Sequence, residues 1–169
     1  KLQYRDFSEW QKRNMEKGVL KRQEDYWLKQ FEGEIPQLNL PTDFERPAVQ
    51  SFEGSKAYFE IGPEETGKLR NLAREEEVTL YMVMLAIFNI LLAKISGLED
   101  IIIGIDVAGR SHADLEQIIG VFINTLVLRS YPAREKTVKN FLAEIKLRTL
   151  EAFDNQDYQF EDLVEKLAV

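Results

Sequence analysis

Cysteine is absent from the 169 residues, and histidine occurs once, at His112. The first absence excludes disulfide bonds, thiolate metal sites and a cysteine nucleophile. The second excludes any site built on paired imidazoles. A cysteine-free chain suits a reducing compartment, and we expect a cytoplasmic protein. Long apolar runs are also lacking. The longest, Tyr81 to Ala93, contains Asn89 and gives way to Lys94, which is short for a membrane-crossing helix and reads as a buried one. We read no secretory pattern in the charged amino terminus.

Basic charge is in deficit. Lys and Arg total 22 against 29 Asp and Glu, for a formal net charge of -7. That sign opposes unspecific binding to a phosphate backbone. The one compact basic stretch, Lys17 to Arg22, is interrupted and balanced by Glu24 and Asp25. Gly104 and Gly109 do not form a phosphate-cradling run, and neither Lys56 nor Lys94 stands in a P-loop pattern. No nucleic-acid partner and no membrane partner is expected.

What is present is a globular composition, 44% hydrophobic and 30% charged with 9 Gly and 5 Pro. It supports a core in one domain, or in part of a larger two-lobed protein. Ser8 and Gln11 have the spacing of a capping box, so a helix is expected from there to Phe31, with an interruption allowed at Gly18. Leu20, Trp27 and Phe31 share its core-facing stripe. Pro36, Pro41, Arg46-Pro47 and Thr42-Asp43 mark a connecting loop.

Ser55 to Ile61 alternates as a partly exposed strand that Gly62-Pro63 ends. Glu64 to Glu77 reads as a charged surface helix. Thr79 starts a buried one in which Met82, Leu85, Ala86 and Asn89 recur at helical spacing, and an enclosed Asn89 needs a hydrogen-bond partner. Asp100 to Val107 is expected as a strand buried on both faces. A turn at Gly109-Arg110-Ser111, a short helix from Asp114 to Ile118 and a second strand from Val121 to Arg129 follow. A long helix from Thr137, carrying Phe141 and Ile145, and a shorter one with Phe160, Leu163, Val164 and Leu167 complete an α/β order.

Several segments, in this order, resemble the condensation domains of nonribosomal peptide synthetases. They are Tyr4-Arg5-Asp6-Phe7-Ser8-Glu9-Trp10-Gln11, Leu40-Pro41-Thr42-Asp43, Thr79-Leu80-Tyr81, Asp100-Ile101-Ile102-Ile103-Gly104 and Ala108-Gly109-Arg110. The strongest is Gly120-Val121-Phe122-Ile123-Asn124-Thr125-Leu126, and Gln156-Asp157 with Phe160-Glu161-Asp162-Leu163-Val164 adds another. Asn155 stands where the family often has histidine, and Gln159 where it often has proline. The family's His-His-x-x-x-Asp-Gly motif occurs nowhere in the sequence.

The resemblance implies an α/β, chloramphenicol-acetyltransferase-like fold, mainly its second lobe, with a mixed sheet flanked by helices. Residues 1–54 would form a helical region and connector from a preceding lobe, and 55–169 the C-terminal lobe. It implies peptide-antibiotic biosynthesis by amide-bond formation between donor acyl and acceptor aminoacyl thioesters. Those substrates ride on phosphopantetheine arms of upstream and downstream peptidyl carrier domains, so no cofactor is bound directly. The partners are these carriers, the N-terminal condensation lobe and an adjacent adenylation domain. A noncatalytic carrier-contact or assembly module and an epimerisation-related domain remain alternatives.

No residue is expected to be catalytic, so the fragment alone should be inactive. His112 reads as a surface or structural residue, since adjacency to Ser111 does not make a dyad. Asn124 and Thr125 are candidates for supporting the reaction tunnel, with strand-end hydrogen bonding as the plainer reading. Asp106, Gly109 and Arg110 are weaker candidates, which a turn with a salt bridge also explains. The acidic residues Asp154, Asp157, Glu161 and Asp162 lack the spacing of a calcium loop and read as a solvated helix face, so no metal is expected.

Overall fold

The computed structural model describes residues 2–45, 47–49 and 51–168. In chain order they form α1 (Tyr4–Glu16), α2 (Lys21–Gln30), α3 (Pro63–Glu75), α4 (Leu80–Ser96), β1 (Ile101–Val107), a 3-10 turn (Ala113–Leu115), β2 (Asn124–Ser130), α5 (Val138–Asp154) and α6 (Phe160–Leu167). β1 and β2 pair in a small open sheet. The residues fall into two compact units. The first comprises 1–36, 102–130 and 147–169, and the second 37–101 and 131–146.

In the first unit, α1 begins four residues before the expected cap. The Asp6 carboxylate accepts the Gln3 backbone N–H at 2.8 Å, which starts the helix early and leaves Ser8 inside it. Gly18 closes α1 with φ +67°. Its N–H reaches the Met15 carbonyl at 3.0 Å while that of Val19 reaches Asn14 at 2.9 Å, the paired bonds of a Schellman ending. The expected single helix is thus two. Leu20, Trp27, Phe31, Leu126, Leu128, Tyr158 and Leu163 are each buried, and α6 packs on both α2 and β2.

β1 alternates. Ile101 and Ile105 are buried whereas Gly104 and Asp106 are exposed, so only one face is enclosed among the described residues. β2 starts at Asn124 rather than Val121. The reason lies in Phe122, whose ring is buried with Leu115 and Ile118 while Val121 and Ile123 face outward. The short helix anticipated near 114–118 is the 3-10 turn.

In the second unit, α3 packs on α4. Thr79 caps α4, its hydroxyl accepting Met82 N–H at 3.2 Å. Met82, Val83, Leu85, Ala86, Asn89 and Leu92 are buried. Asn89 Nδ2 finds its partner within the helix, donating to the Leu85 carbonyl at 2.8 Å. Thr137 caps α5 by accepting Asn140 N–H at 3.2 Å, and Phe141, Leu142 and Ile145 are buried.

Residues 55–61 are exposed and have no regular secondary structure, so the expected strand is not formed. No backbone hydrogen bond ties residues 54–60 to any other described residue, and a strand needs a ladder to exist. Phe52, Tyr58 and Phe59 are 94%, 87% and 83% exposed. In the connector before them, Arg46 lies outside the described residues.

Among the described residues no single helix is long and apolar enough to cross a membrane, although α3 and α4, bent by 105°, pass that length and composition test as a pair.

Candidate functional site

The sequence-predicted residues gather in the first unit, around the entrance to β2. Asn124 sits at the first position of that strand and is 4% exposed. Its Nδ2 donates to the carbonyls of Gln156 and Tyr158, both at 2.8 Å. Its Oδ1 accepts the N–H of Thr125 at 2.9 Å and of Phe160 at 3.1 Å. Both donors and both acceptor sites of the amide are therefore occupied. The side chain clamps the turn between α5 and α6 to the sheet.

α2 grips the same turn. Gln23 Oε1 accepts the N–H groups of Asp157 and Tyr158, each at 3.0 Å. Trp27 Nε1 donates to the Asn155 carbonyl at 2.8 Å, which satisfies an indole that is 2% exposed. Asn155 ties itself to α5 through the Glu151 carbonyl at 2.8 Å. Neither Gln23 nor the indole was a sequence-predicted site residue. The only hint was their i, i+4 spacing on one helix face.

Thr125 Oγ1 donates to Asp106 Oδ1 at 2.9 Å, linking β2 to the exposed face of β1. A hydroxyl aimed at a carboxylate fixes both side chains. Without an imidazole beside them this is not the nucleophile and base of an acyl-transfer triad.

Arg110 binds a different set of groups. Its guanidinium lies 4.1 Å from the centroid of the Phe122 ring, within cation-π range. It also donates to the Leu115 carbonyl and to that of Gly120 at 3.5 Å. Gly109, at φ +62°, brings its Cα so close to Phe122 that an added Cβ would lie 1.6 Å from the Phe122 carbonyl oxygen. Only glycine fits there. At Gly120 a Cβ would meet the Tyr4 ring at 2.2 Å. Tyr4 and Phe7 pack on Phe122, with ring centroids 5.1 and 4.7 Å away.

Beside this cluster lies a cavity of about 190 Å³, lined in part by Trp10, Gln11 and Asn14 from α1 and by Gly109, Phe122 and Asn124. A larger cavity of about 540 Å³ in the second unit is lined by Lys94, Arg134 and Phe141 among others. None of the sequence-predicted site residues lines it, so size alone does not make it the site.

His112 is exposed, and its Nδ1 accepts Asp114 N–H at 3.3 Å. Asp157 accepts from Gln23 Nε2 at 3.5 Å. Burial, and then the neighbouring carboxylates of Glu161, Glu165 and Glu24, raise the Asp162 carboxyl above its ordinary range, with Lys166 opposing. Among the described residues no group of three or more His, Cys, Asp or Glu is placed to hold a metal ion.

The condensation-domain family model matches residues 1–169. The chain belongs to that family. Tyrocidine synthase 3 of Brevibacillus parabrevis is 54% identical over 168 residues, covering 99% of this chain and 3% of that protein. Surfactin synthase subunit 1 of Bacillus subtilis (strain 168) is 49% identical over 169 residues, covering 100% of this chain and 5% of that protein. The chain thus spans a small fraction of these relatives.

Among solved structures, the X-domain from teicoplanin biosynthesis superposes with a TM-score of 0.92 at 23% identity, covering 99% of this chain and 38% of that one. That is a likeness of fold. A four-domain nonribosomal peptide synthetase bound to AMP and glycine matches at 28% identity and a TM-score of 0.78, over 85% of this chain and 11% of that one. The architecture, α/β with a small open sheet flanked by helices, is that of the second lobe of the chloramphenicol-acetyltransferase-like fold. The chain corresponds to part of such a domain.

Proposed function

We propose that this chain is the second-lobe segment of a cytoplasmic nonribosomal peptide synthetase condensation domain. The complete domain joins a donor acyl thioester to an acceptor aminoacyl thioester, each carried on the phosphopantetheine arm of a peptidyl carrier domain. The acceptor amine forms the new C–N bond at the donor carbonyl, the C–S bond breaks, and the donor thiol leaves with the proton that the amine gives up. Residues 1–54 lead in from the preceding lobe and 55–169 form the second. An adjacent adenylation domain belongs to the same reading.

One observation carries it: the family match runs the full length of the chain, and its most family-like block, Gly120 to Leu126, contains the four-bonded Asn124. In this reading Asn124, Gly109 and Arg110 shape the channel wall indirectly, by fixing the turn 155–160 and the segment 115–122. Thr125 and Asp106 present a polar pair on the exposed strand face. None of the five takes a proton from substrate. That task falls to the His-His-x-x-x-Asp-Gly motif, which lies outside this sequence.

The test is amide formation with matched, loaded donor and acceptor carriers, followed by mass spectrometry, for this chain and for the full-length protein. Product from the full-length protein alone is the expected result. Product from both overturns the assignment of the chemistry to the other lobe. A folded full-length protein that is inactive with every cognate pair favours a carrier-contact module. The absence of any paired imidazole in the chain makes that module the second reading.

A further inference from the structure

The cavity of about 540 Å³ in the second unit is built from the C-terminal half of α4, the loop after it, the stretch Pro132 to Thr137 and the start of α5. Its size falls within the range of small-molecule pockets, about 300–1,000 Å³. Ile90, Leu98, Val138 and Phe141 give it apolar walls. Its charged lining is Lys94, Arg134 and Lys136 against Glu99 alone, in a chain whose formal net charge is -7. The three cations differ in what holds them. Lys136 Nζ donates to the Tyr131 carbonyl at 2.6 Å and to the Glu144 carboxylate, so it is neutralised in place. The Glu99 carboxylate accepts the Arg134 backbone N–H at 3.2 Å, and Arg134 Nε approaches it only to 3.8 Å. Lys94 has no hydrogen bond or ion pair to any described residue. Three cations against the carboxylates of Glu99 and Glu144 leave one positive charge in surplus.

We infer that this cavity binds a small amphipathic carboxylic acid, its carboxylate held by Lys94 and Arg134 and its acyl or aryl body against Ile90, Val138 and Phe141. The charge balance selects a monoanion. One carboxylate matches the single surplus cation, whereas a phosphate monoester, with a charge of about -1.5 to -2 at pH 7, brings in charge that finds no partner. The walls select an apolar body, because covering apolar surface is favourable and leaving it against water is not. Lys94 and the Arg134 side chain are exposed, so the body enters first and the carboxylate stays at the mouth, where it keeps part of its hydration. An acid without that body would gain little from two exposed cations. The second unit contains none of Asp106, Gly109, Arg110, Asn124 and Thr125, and a free acid carries no thioester to condense. The inference therefore stands apart from amide formation, and the two fail separately.

The test is isothermal titration of the full-length protein with octanoate, octanol and octyl phosphate, three probes that share one body and differ in the head. Lysine acetylation by acetic anhydride, read by mass spectrometry, locates the site in the same samples. Octanoate should bind at least about 10-fold more tightly than octanol, the factor that a charge-assisted contact supplies, and octyl phosphate no more tightly than octanoate. Octanoate should slow acetylation of Lys94 but not of Lys12, which lies in the first unit. Lys94→Gln should remove most of the advantage of octanoate over octanol, and Lys94→Arg should keep it. Both substitutions fall at an exposed side chain, and urea midpoints equal to the parent's confirm that the fold is intact. Equal binding of octanoate and octanol overturns the anion site. Tighter binding of octyl phosphate overturns the carboxylate in favour of a phosphate monoester. Octanoate binding that leaves Lys94 freely acetylated, or that Lys94→Gln does not weaken, puts the ligand elsewhere and overturns the inference, as does no binding of any probe at millimolar concentration.

Discussion

Asn124 Nδ2 donates to the carbonyl of Tyr158 at 2.8 Å, joining residues 34 apart in sequence. With its three further bonds, this one amide determines where the turn before α6 lies against β2. Asn124→Ala strands two carbonyls and the Phe160 N–H in a buried setting. We expect a loss of about 3 kcal/mol, since each buried polar group left without a partner costs about 1–3 kcal/mol. Urea unfolding of the full-length domain checks it. Exchange at residues 156–160 should rise more than elsewhere, and a uniform rise contradicts the clamp.

Gly109→Ala places a methyl group against the Phe122 carbonyl at a left-handed backbone position. Strain at such a site costs about 1–3 kcal/mol before any clash is relieved. The variant should unfold at a distinctly lower urea concentration than Gly54→Ala, where a Cβ meets nothing within 4 Å. Equal midpoints for the two would refute the close approach.

Trp27→Phe keeps an aromatic body in the core and removes the indole donor, leaving the Asn155 carbonyl unbonded. The expected loss is about 1–3 kcal/mol by calorimetry or denaturant titration. A neutral result means that the indole bond contributes nothing net.

Asp162 carries a raised carboxyl pKa, chiefly through burial. The folded chain therefore holds its proton more tightly than the unfolded chain. Folding takes up a proton in the window between the ordinary aspartate value of 3.8 and the raised one, so this group's effect is a fall in stability as pH rises through that window. Above it the deficit persists. Asp162→Asn should raise the neutral-pH Tm, and the difference between variant and parent should shrink below about pH 4. A difference constant with pH removes the carboxylate as the cause.

The local signals in this sequence were legible and the distant ones were not. Thr79 as a cap, Gly18 as a break and the apolar spacing of α4 depend on neighbours within one or two turns, and each appears in the structure as read. Ser8 misled because a competing cap, the Asp6 carboxylate, lies two residues earlier. Val121 to Ile123 look like strand because their alternation is real. The Phe122 ring nevertheless turns into an aromatic cluster with α1 that no local pattern encodes.

The candidate site shows the same division. Gly109, Arg110, Asn124 and Thr125 could be singled out from motif residues, but not what each one binds. The grip of Gln23 on Asp157 spans 134 residues, and a single sequence contains nothing that pairs them.

Arg129 is 8% exposed. Its guanidinium donates to the carbonyls of Gln30 and Glu32, each at 3.4 Å, and of Glu34 at 2.7 Å. Gln30 is the last residue of α2, so the cation also opposes the negative end of that helix's dipole. The bond to Gln30 bridges 99 residues, and closing so long a loop is slow relative to forming a helical turn. The final turn of α2 and the peptide beyond it therefore acquire their anchor only when β2 arrives. During synthesis, a ribosome must deliver Arg129 before the end of a helix begun at Lys21 is secured.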